Sequence, residues 1–440
     1  MFVVLLFIFS CSDSEEKTEG FAVEGEFSDC DPLDAGLCAL PFPSSFFEKE
    51  SDTPSGIQLN FRPKSLPENI DGIQTIPDLW NEKDGFSPLT PIMTFFPDLS
   101  TEGLLRHDEL DSYTAENVTS VIIDVETKER VPHWAELDMS HNQNDRRVLR
   151  LYPAQPLKWG HHYVVGLRNL KDNQGSMIEP SASFLALRNH TPTGNYDIDG
   201  RGELYEETIF PVLKEHGFER ENVLLAWDFH VSTREHSLRQ VLHMRDDALT
   251  RVEGGVPYAI TEVVHFTPEE NENVAKRIHG TMTVPYYTEE PGTDVLLTRD
   301  DNGLPFYNGD REIEFTLIVP RVLVDEKRSG PIIQYGHGLM GSQSEVHGGY
   351  LGRMANRYGY VLLAVDWTGM SSVDLSSIIF MLIDGGSRFG IIPERCQQGF
   401  IEQMTAIETL QNNLRMDSEL MVTTEEGEEI SIEKEKPKPV

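Results

Sequence analysis

The fold is decided by the stretch Ile332–Ser342, which reads IIQYGHGLMGS. A short apolar strand is predicted over Ile332–Tyr335. The glycines that follow it let the backbone turn sharply and leave room for a ligand beside the chain. A second apolar strand is predicted over Val361–Val365, and apolar residues recur at helical spacing between the two strands. The pattern predicts a β-turn-α-β unit.

The helix between these strands has start and stop signals. Ser342 and Glu345 have the spacing of a capping box, and Gly359 ends the helix before the second strand. A further amphipathic helix is predicted over Gly399–Leu414. Residues 417–440 form an acidic, proline-ended tail with eight Asp or Glu and three Lys. We expect this tail to be a solvated loop.

The first half of the chain has a different pattern. Short β-prone runs recur between turn signals, at Val118–Val125, Arg147–Tyr152, Tyr163–Leu167 and Ser181–Leu187. They predict a β-sandwich over residues 61–190. Residues 191–310 contain two helical patterns and then further β-prone runs, which predict a connecting α+β region. Residues 311–440 form the second domain, so the fold class is a β-rich domain followed by an α/β domain.

Composition excludes several classes of protein. The chain has 37 Lys and Arg against 73 Asp and Glu, a formal net charge of −36, which makes nucleic acid a poor partner. With 39% hydrophobic and 25% charged residues, the chain is globular rather than disordered. A collagen, a coiled coil and a membrane protein with many spans are excluded.

The N-terminus carries an apolar run, Phe2–Phe9, followed by Ser10 and Cys11. The run is too short to cross a bilayer, which takes about 20 residues. Ile8-Phe9-Ser10-Cys11 resembles a bacterial lipobox, in which the cysteine becomes lipidated. We therefore expect residues 1–11 to be a lipoprotein signal peptide, with Cys11 lipidated and the protein secreted or anchored in the outer membrane. An ordinary signal peptide or a buried strand are the alternatives, and no basic residue precedes the run.

The remaining cysteines predict one disulfide. Cys30 and Cys38 lie eight positions apart in residues 12–60, a linker rich in Pro, Gly and Asp, and Cys396 is left alone. The chain has no CxxC, no HExxH and no Cys/His cluster with zinc spacing, so we expect no metal and no cofactor. His161 and His162 are expected to have packing or solvated roles.

An acidic segment, Asn195–Gly200 with Glu206, has the spacing of a calcium loop. Gly202 falls where that loop normally carries an apolar residue, and no clear helix precedes the segment. A plain acidic loop is therefore favoured, and calcium binding at Asp197 and Asp199 stays open.

Chemistry is concentrated in Gly336–Ser342, which we call the HG loop. In esterases and lipases of the α/β-hydrolase fold, an HG-containing loop supplies a backbone N–H to the oxyanion hole. His337, Gly338 and Leu339 are therefore the candidate catalytic residues, with the Leu339 N–H as oxyanion donor. A glycine-rich turn in any doubly wound protein is the alternative. Asp366 follows the second strand, and we expect it to orient the HG loop or cap the next turn.

Further stretches carry a wider resemblance. The chain resembles a family of secreted bacterial α/β-hydrolases with an N-terminal Ig-like part, related to bacterial virulence-factor lipases. The resemblance covers residues from about 30 to 415 and implies a serine esterase or lipase acting on small-molecule or lipid esters. The matching stretches are Leu40–Ser44, Trp80-Asn81, Asp84–Pro88, Trp227–Phe229, Met244–Asp247, the HG loop, Val365–Trp367 and Gly369–Ser371.

One departure from the family is decisive. A serine hydrolase of this fold needs G-x-S-x-G followed by Asp or Glu and then His, and these 440 residues contain no G-x-S-x-G. Ser387, in Gly385–Phe389, lacks the second glycine. We expect the triad to lie beyond Val440, so that this chain is an inactive fragment with an unfinished, aggregation-prone sheet. The alternative is a non-catalytic surface lipoprotein with an Ig-like binding domain and a degenerate hydrolase scaffold.

Overall fold

The computed structural model describes residues 29–33, 37–66, 68–384, 386 and 388–432. The chain combines helices with several sheets and forms two compact units. The first unit comprises Met1–Leu66 and Trp80–Thr233, and the second comprises Pro67–Leu79 and Arg234–Val440. The expected connecting region, 191–310, is therefore divided between the two units. Cys11 and Ser387 lie outside the described residues.

The described residues of the first unit form nine strands. They are β1 (Glu48–Glu50), β2 (Ile57–Leu59), β3 (Ile92–Phe95), β4 (Ser120–Asp124), β5 (Glu129–Arg130), β6 (His133–Leu137), β7 (Val148–Pro153), β8 (His162–Arg168) and β9 (Val223–His230). All pairings are antiparallel, with β1 and β2 forming a hairpin. The other seven form a three-stranded sheet, β3-β7-β6, and a four-stranded sheet, β5-β4-β8-β9.

Both of these sheets contribute to one hydrophobic core. Ile92 and Leu149 come from the three-stranded sheet, and Val121 and Val165 come from the four-stranded sheet; all four are fully buried. Trp227 on β9 is also buried, and its Nε1–H donates to a backbone oxygen at 2.8 Å. Continuous burial along β4, β8 and β9 explains why their sequences are apolar runs rather than alternating patterns.

Five short helices belong to or border the first unit. They are α1 (Asp78–Asn81), which spans a boundary between the units, α2 (Ala182–Arg188), α3 (Tyr196–Asp199), α4 (Gly202–Leu204) and α5 (Phe210–Glu215). The expected strand Ser181–Leu187 is thus wrong, because this stretch forms α2. The Ser181 hydroxyl accepts a hydrogen bond from the Phe184 N–H and caps the helix, while Phe184 and Leu187 bury the same face.

Residues 37–60, expected as a linker, pack into the first unit. Phe47 is fully buried, and Leu59 on β2 is nearly so. Asp31 is fully buried and accepts hydrogen bonds from the Ser44 hydroxyl at 2.6 Å and from Arg201 at 2.9 Å. This buried ion pair fixes the start of the described chain against α4, which the composition of the segment did not reveal.

The second unit contains the remaining elements. They are α6 (Arg234–Arg251), β10 (Tyr258–His265), β11 (Val274–Pro285), β12 (Asp310–Pro320), α7 (Arg321–Asp325), β13 (Ile332–Tyr335), α8 (Gly349–Tyr358), β14 (Val361–Val365), α9 (Leu375–Ile383), α10 (Ile391–Gln411), β15 (Met421–Thr423) and β16 (Glu429–Ser431). Strands β13 and β14 have the bounds predicted from sequence. Helix α10 begins eight residues before the predicted start.

A mixed five-stranded sheet forms the centre of the second unit, in the order β10-β11-β12-β14-β13. Its strands are antiparallel except for β13 and β14, which run parallel with Ile332 opposite Val361 and Tyr335 opposite Ala364. Within the described residues, β13 pairs with β14 alone and is an edge strand. Parallel pairing is possible because α8 carries the chain back to the start of β14.

Alternating residues of β14 face two different cores. Leu363 and Val365 belong to a cluster with Ala406 and Leu410 of α10. Leu362 and Ala364 belong to a separate cluster that includes Leu351 and Ala355 of α8. Because successive side chains of a strand point to opposite faces, the two helices cover the two faces of the sheet.

Among the helices that the structure describes, none has the length and apolarity to cross a membrane.

The acidic tail is not a solvated loop over its described part. Strands β15 and β16 form an antiparallel hairpin, and Leu420 and Ile432 beside it are fully buried in the core that contains β14. The Gly330 N–H donates to the Ile432 oxygen at 2.7 Å. Charge composition misled the prediction because only the outward residues of this hairpin are acidic.

A buried histidine makes the stability of the first unit sensitive to acid. His133 on β6 is 1% exposed, with Nδ1 and Nε2 hydrogen-bonded to the Val131 oxygen and the Ser120 hydroxyl. Burial lowers the pKa of His133 from its usual value of 6.5 to about 4. The unfolded chain therefore binds the proton first. The stability is complete above about pH 6.5 and is lost as the pH falls toward 4, by an amount on the order of 3 kcal/mol.

Urea unfolding measured at several pH values checks this expectation. The substitution His133→Asn removes the titrating ring and should flatten the pH dependence between pH 4 and 6.5. His190→Asn is the control, because the His190 side chain is 73% exposed. An equally steep loss of stability in the His133 variant would contradict the assignment.

Candidate functional site

Two loops meet at one end of the five-stranded sheet. The HG loop follows β13, and Asp366–Ser371, which we call the β14 loop, follows β14. Since β13 and β14 are parallel, both loops leave the sheet at the same edge. Carboxyl ends of neighbouring parallel strands are the usual position of ligand sites in α/β sheets.

The two loops are joined through their backbones. The Met340 N–H donates to the Met370 oxygen at 2.9 Å, and the Ser372 N–H donates to the Gly341 oxygen at 2.8 Å. Gly341 and Ser371 form a parallel bridge. Within the HG loop, the Gly341 N–H turns back to the Gly338 oxygen at 2.8 Å. These bonds fix the path of the HG loop independently of side chains.

His337 uses both ring nitrogens to hold this arrangement. Its Nε2 accepts a hydrogen bond from the Trp367 N–H at 2.8 Å, so the proton resides on Nδ1. Nδ1 lies 2.8 Å from the Gly338 oxygen, which accepts that proton. The side chain is 5% exposed. His337 is therefore a neutral brace between the two loops, and neither nitrogen is available as a general base.

Glu345 fills the inside of the HG loop. Its carboxylate lies 3.3 Å from the Gly338 nitrogen and accepts a hydrogen bond from the Tyr335 hydroxyl at 2.8 Å. A Cβ at Gly341 would lie only 2.0 Å from this carboxylate, which explains the glycine there. The expected capping box with Ser342 is not formed, because Glu345 turns into the loop and the Ser342 hydroxyl pairs with Ser344.

Leu339 stands at the tip of the HG loop. Its side chain is 75% exposed, and the next residue, Met340, has a φ of +57°. Positive φ in a non-glycine residue is strained unless the surrounding structure enforces it, and here the Met340 N–H is held by the β14 loop. Among the residues that the structure describes, none accepts a hydrogen bond from the Leu339 N–H. The tip thus presents one free backbone donor.

Asp366 caps the turn that follows the HG loop. One carboxylate oxygen accepts a hydrogen bond from the Gln343 N–H at 2.6 Å, at the start of the helical turn Gln343–His347. The Gln343 side chain is nearly buried, and its amide oxygen accepts from the Thr316 hydroxyl at 2.8 Å. Asp366 therefore holds the end of the HG loop, which was the first of its two expected roles, rather than capping the turn that follows its own position in the chain. Through Gln343, the HG loop is also anchored to β12.

A buried ion pair supports the β14 loop from below. The Asp374 carboxylate accepts hydrogen bonds from the Gly369 N–H at 2.9 Å and from the Ser371 N–H at 3.1 Å. Its other oxygen lies 2.5 Å from Arg395 on α10. Both side chains are 3% exposed or less, so removing one charge would leave the other buried and unpaired. Sequence reasoning missed this pair, since the two residues are 21 positions apart.

A second buried carboxylate ties α10 to the same loop. Glu402 is 1% exposed and contacts Arg311 of β12 at 2.9 Å and the Thr368 hydroxyl at 2.7 Å. Burial raises the pKa of Glu402, although Arg311 and the hydrogen bond from Thr368 oppose this effect. Glu402 lies inside the predicted amphipathic helix. The sequence does not indicate its burial, because a glutamate on the polar face of such a helix is usually exposed to solvent.

Trp367 packs directly on α10. Its indole stacks edge-on against Phe400 with 4.9 Å between ring centroids, and its Nε1–H donates to the Cys396 oxygen at 3.3 Å. A Cβ at Gly399 would lie 2.2 Å from the indole, closer than any real contact. Burial raises the pKa of the free Cys396 thiol, which makes the thiolate scarce at neutral pH.

The other predicted site residues lie elsewhere. Cys30 and Cys38 are joined by a disulfide in the first unit. The calcium-loop candidates are engaged within the protein. Asp199 accepts hydrogen bonds from the Thr193 and Gly194 N–H groups, and Asp197 lies 3.6 Å from Arg62. Both carboxylates therefore have partners within the protein, and these contacts give them a structural role.

The close contact of Gly399 with Trp367 can be tested by substitution. Gly399→Ala should destabilise the second unit by about 1–3 kcal/mol, because the added methyl group forces the indole out of its place. Alanine normally stabilises a helix relative to glycine, so the sign is diagnostic. The control is Gly349→Ala on α8, where the nearest atom to an added Cβ is the end of Arg353 at 3.6 Å. Chemical unfolding would be measured for both variants. A neutral or stabilising effect of Gly399→Ala would contradict the close packing of Gly399 against Trp367.

No model of a known protein family matches the chain. No curated protein matches it either.

Proposed function

We propose that this chain carries the oxyanion-binding half of a carboxylic-ester hydrolase with the α/β-hydrolase fold. The free Leu339 N–H at the tip of the braced HG loop is the observation that carries the proposal. An oxyanion hole requires backbone donors held in place before the reaction, so that they need no reorganisation when charge develops. The backbone bonds to the β14 loop, together with His337 and Glu345, meet that requirement.

The position of the loop also supports this function. The HG loop follows a strand of a parallel pair and precedes a helical turn and α8, which is the context in which esterases and lipases place an oxyanion donor. The same context is compatible with the predicted resemblance to secreted bacterial lipases. The three candidate residues then have different roles. His337 links the HG loop to the β14 loop, the Gly338 N–H binds Glu345, and the Leu339 N–H donates a hydrogen bond to the oxyanion.

Exposed apolar side chains near the site favour a hydrophobic ester as substrate. Helix α9 begins next to Asp374, whose carboxylate holds the β14 loop. Five of its apolar side chains are at least 44% exposed: Leu375, Ile379, Phe380, Leu382 and Ile383. An exposed apolar surface of this kind is typical of binding sites for apolar ligands. We therefore infer that the acyl chain of the substrate is apolar.

The reaction needs a nucleophile from outside this sequence. In the complete enzyme, a serine oxygen would attack the ester carbonyl carbon while a histidine removes the serine proton. The carbonyl oxygen becomes an oxyanion, which accepts a hydrogen bond from the Leu339 N–H and from a second N–H. The histidine then gives its proton to the leaving alkoxide, and water hydrolyses the acyl-enzyme. This chain alone should not hydrolyse esters.

The source gene provides the test. It would be sequenced through and past the Val440 codon, and its product would be assayed with p-nitrophenyl butyrate. We expect G-x-S-x-G followed by an acidic residue and a histidine. Leu339→Pro removes the N–H and should lower kcat by about 10²–10³-fold, whereas Leu339→Ala keeps the N–H and should leave kcat nearly unchanged.

Two results would contradict the proposal. A stop codon directly after Val440 would favour the non-catalytic surface lipoprotein with an Ig-like binding domain. Equal kcat values for the proline and alanine variants, both folded by circular dichroism, would show that the Leu339 N–H is not an oxyanion donor.

We also infer that Cys11 anchors the protein to a membrane from the extracytoplasmic side. The lipobox-like Ile8–Cys11 and the short apolar run before it support this. Bacteria expressing the protein and fed radioactive palmitate should label it, and Cys11→Ser should abolish the label. Cys396→Ser is the control. Label that persists in the Cys11 variant would contradict lipidation at this residue.

A further inference from the structure

Two histidines and an aspartate meet at one end of the four-stranded sheet in the first unit. His162 begins β8 and His230 ends β9, and the two are partners across the antiparallel pair. Their rings stack with 4.1 Å between centroids and 12° between planes. Asp228 lies two residues before His230 and therefore on the same face of β9. These three residues are distant in sequence from the HG loop, to which the proposed function is assigned. They belong to the first unit, whereas the HG loop belongs to the second.

The donor atoms of these residues converge. One nitrogen of each ring and one oxygen of Asp228 all lie within 4.8 Å of one another. The closest pair is His162 Nε2 and Asp228 Oδ2, at 2.8 Å. From this convergence we propose that His162, Asp228 and His230 bind one divalent transition-metal ion of the zinc class.

Surrounding residues orient the ligands as second-shell groups do in metalloproteins. Glu48 of β1 lies 2.7 Å from His230 Nδ1 and accepts a hydrogen bond from the His230 N–H at 2.8 Å. A carboxylate on Nδ1 keeps the proton there and leaves Nε2 with a free lone pair. Ser45 donates to Asp228 Oδ1 at 2.5 Å, so that Oδ2 is the oxygen turned toward His162.

Burial and chemistry together favour a cation. The Asp228 side chain is 1% exposed, and a buried carboxylate is costly unless positive charge lies near it. Arg201, which pairs with Asp31, supplies part of that charge, and a bound cation would supply the rest. Imidazole nitrogens with one carboxylate oxygen suit zinc better than calcium or magnesium, which prefer all-oxygen sites. Three protein ligands leave the fourth tetrahedral position for water.

Small side-chain movements would complete the geometry. Zinc ligands at about 2.0–2.2 Å from a tetrahedral ion lie roughly 3.3 Å from one another. His162 Nε2 and Asp228 Oδ2, now 2.8 Å apart, must therefore separate slightly. The other donor pairs, within 4.8 Å, must close by at most about 1.5 Å, and the two rings must tilt out of their parallel stack. His230 can supply this movement because its side chain is 33% exposed, whereas Asp228 and His162 are more constrained.

A neighbouring cluster is less suited to a metal. Asp124, Glu126 and His161 also converge, with His161 Nδ1 at 3.0 Å from both oxygens of Asp124. Lys158 already lies 3.3 Å from Asp124 and supplies a positive charge. We assign this second cluster to a surface ion-pair network, and it provides a matched control.

Metal binding would be measured on the full chain, produced without a histidine tag and treated with a chelator. Titration calorimetry with Zn²⁺ should give one site per chain, and Co²⁺ should give the visible absorption of a four- or five-coordinate ion. His230→Gln and His162→Gln should each abolish the high-affinity site. Glu48→Gln should weaken binding by about 10–100-fold, because it removes only the orienting carboxylate. His161→Gln, in the neighbouring cluster, should bind as the unchanged protein does.

Each other outcome overturns the proposal. If no Zn²⁺ binds to the unchanged protein, the stacked histidines are a structural pair held by their contacts with Asp228 and Glu48. If His161→Gln alone abolishes binding, the ion belongs to the neighbouring cluster. Should the ligand variants fail to fold by circular dichroism, the Co²⁺ spectrum of the unchanged protein and the Glu48 variant decide between the outcomes.

Discussion

The parallel pairing of β13 with β14 is the constraint on which the second unit depends. With Ile332 opposite Val361, the two strands end at the same edge of the sheet, and the loops that follow them come into contact. An antiparallel register would send one of these loops to the far side. The contacts between the two loops, including the bond from the Trp367 N–H to His337, follow from that pairing. Side chains then refine an arrangement that the backbone has already set.

The polar side chains around the HG loop stabilise it by binding different backbone groups. His337 and Asp366 each accept a backbone N–H from the neighbouring loop or turn, and Glu345 takes up the Gly338 N–H. Unpaired polar groups in such a setting would each cost about 1–3 kcal/mol. Within the HG loop, the Gly338, Met340 and Gly341 N–H groups each have an acceptor in the described structure, whereas the Leu339 N–H at the exposed tip has none.

Sequence patterns predicted the elements that depend on local order. Strands β13 and β14 were predicted with their observed bounds, because both are short, mostly apolar runs that end at a glycine or a polar residue. Only β14 is buried throughout, whereas the edge strand β13 is half-buried. The Gly-rich turn was recognised for the same reason. Helix α2 was taken for a strand because Phe184–Leu187 is apolar throughout, and in so short a run periodicity cannot separate the two. The tail was misjudged because burial of Leu420 and Ile432 depends on strands far away in sequence.

The candidate sites also differ in how far they can be predicted from local sequence. His337–Leu339 could be selected from sequence because their chemistry lies in consecutive residues. Glu345 was noticed, but its capping-box spacing concealed its role inside the loop. His162 and His230 could not be connected, since 68 positions separate them and only the register of β8 with β9 places them face to face. Pairings across strands and buried ion pairs such as Asp374 with Arg395 are tertiary facts, and no local pattern encodes them.

The edge position of β13 has a geometric consequence for the end of the sheet at which the HG loop lies. In the part of the chain that the structure describes, one side of β13 keeps its backbone N–H and carbonyl groups free for another strand. A strand added there in the parallel direction would end beside the HG loop, about 4.8 Å from the axis of β13. The spacing between hydrogen-bonded strands therefore fixes how close a further strand of this sheet would come to β13 and to the loop that follows it.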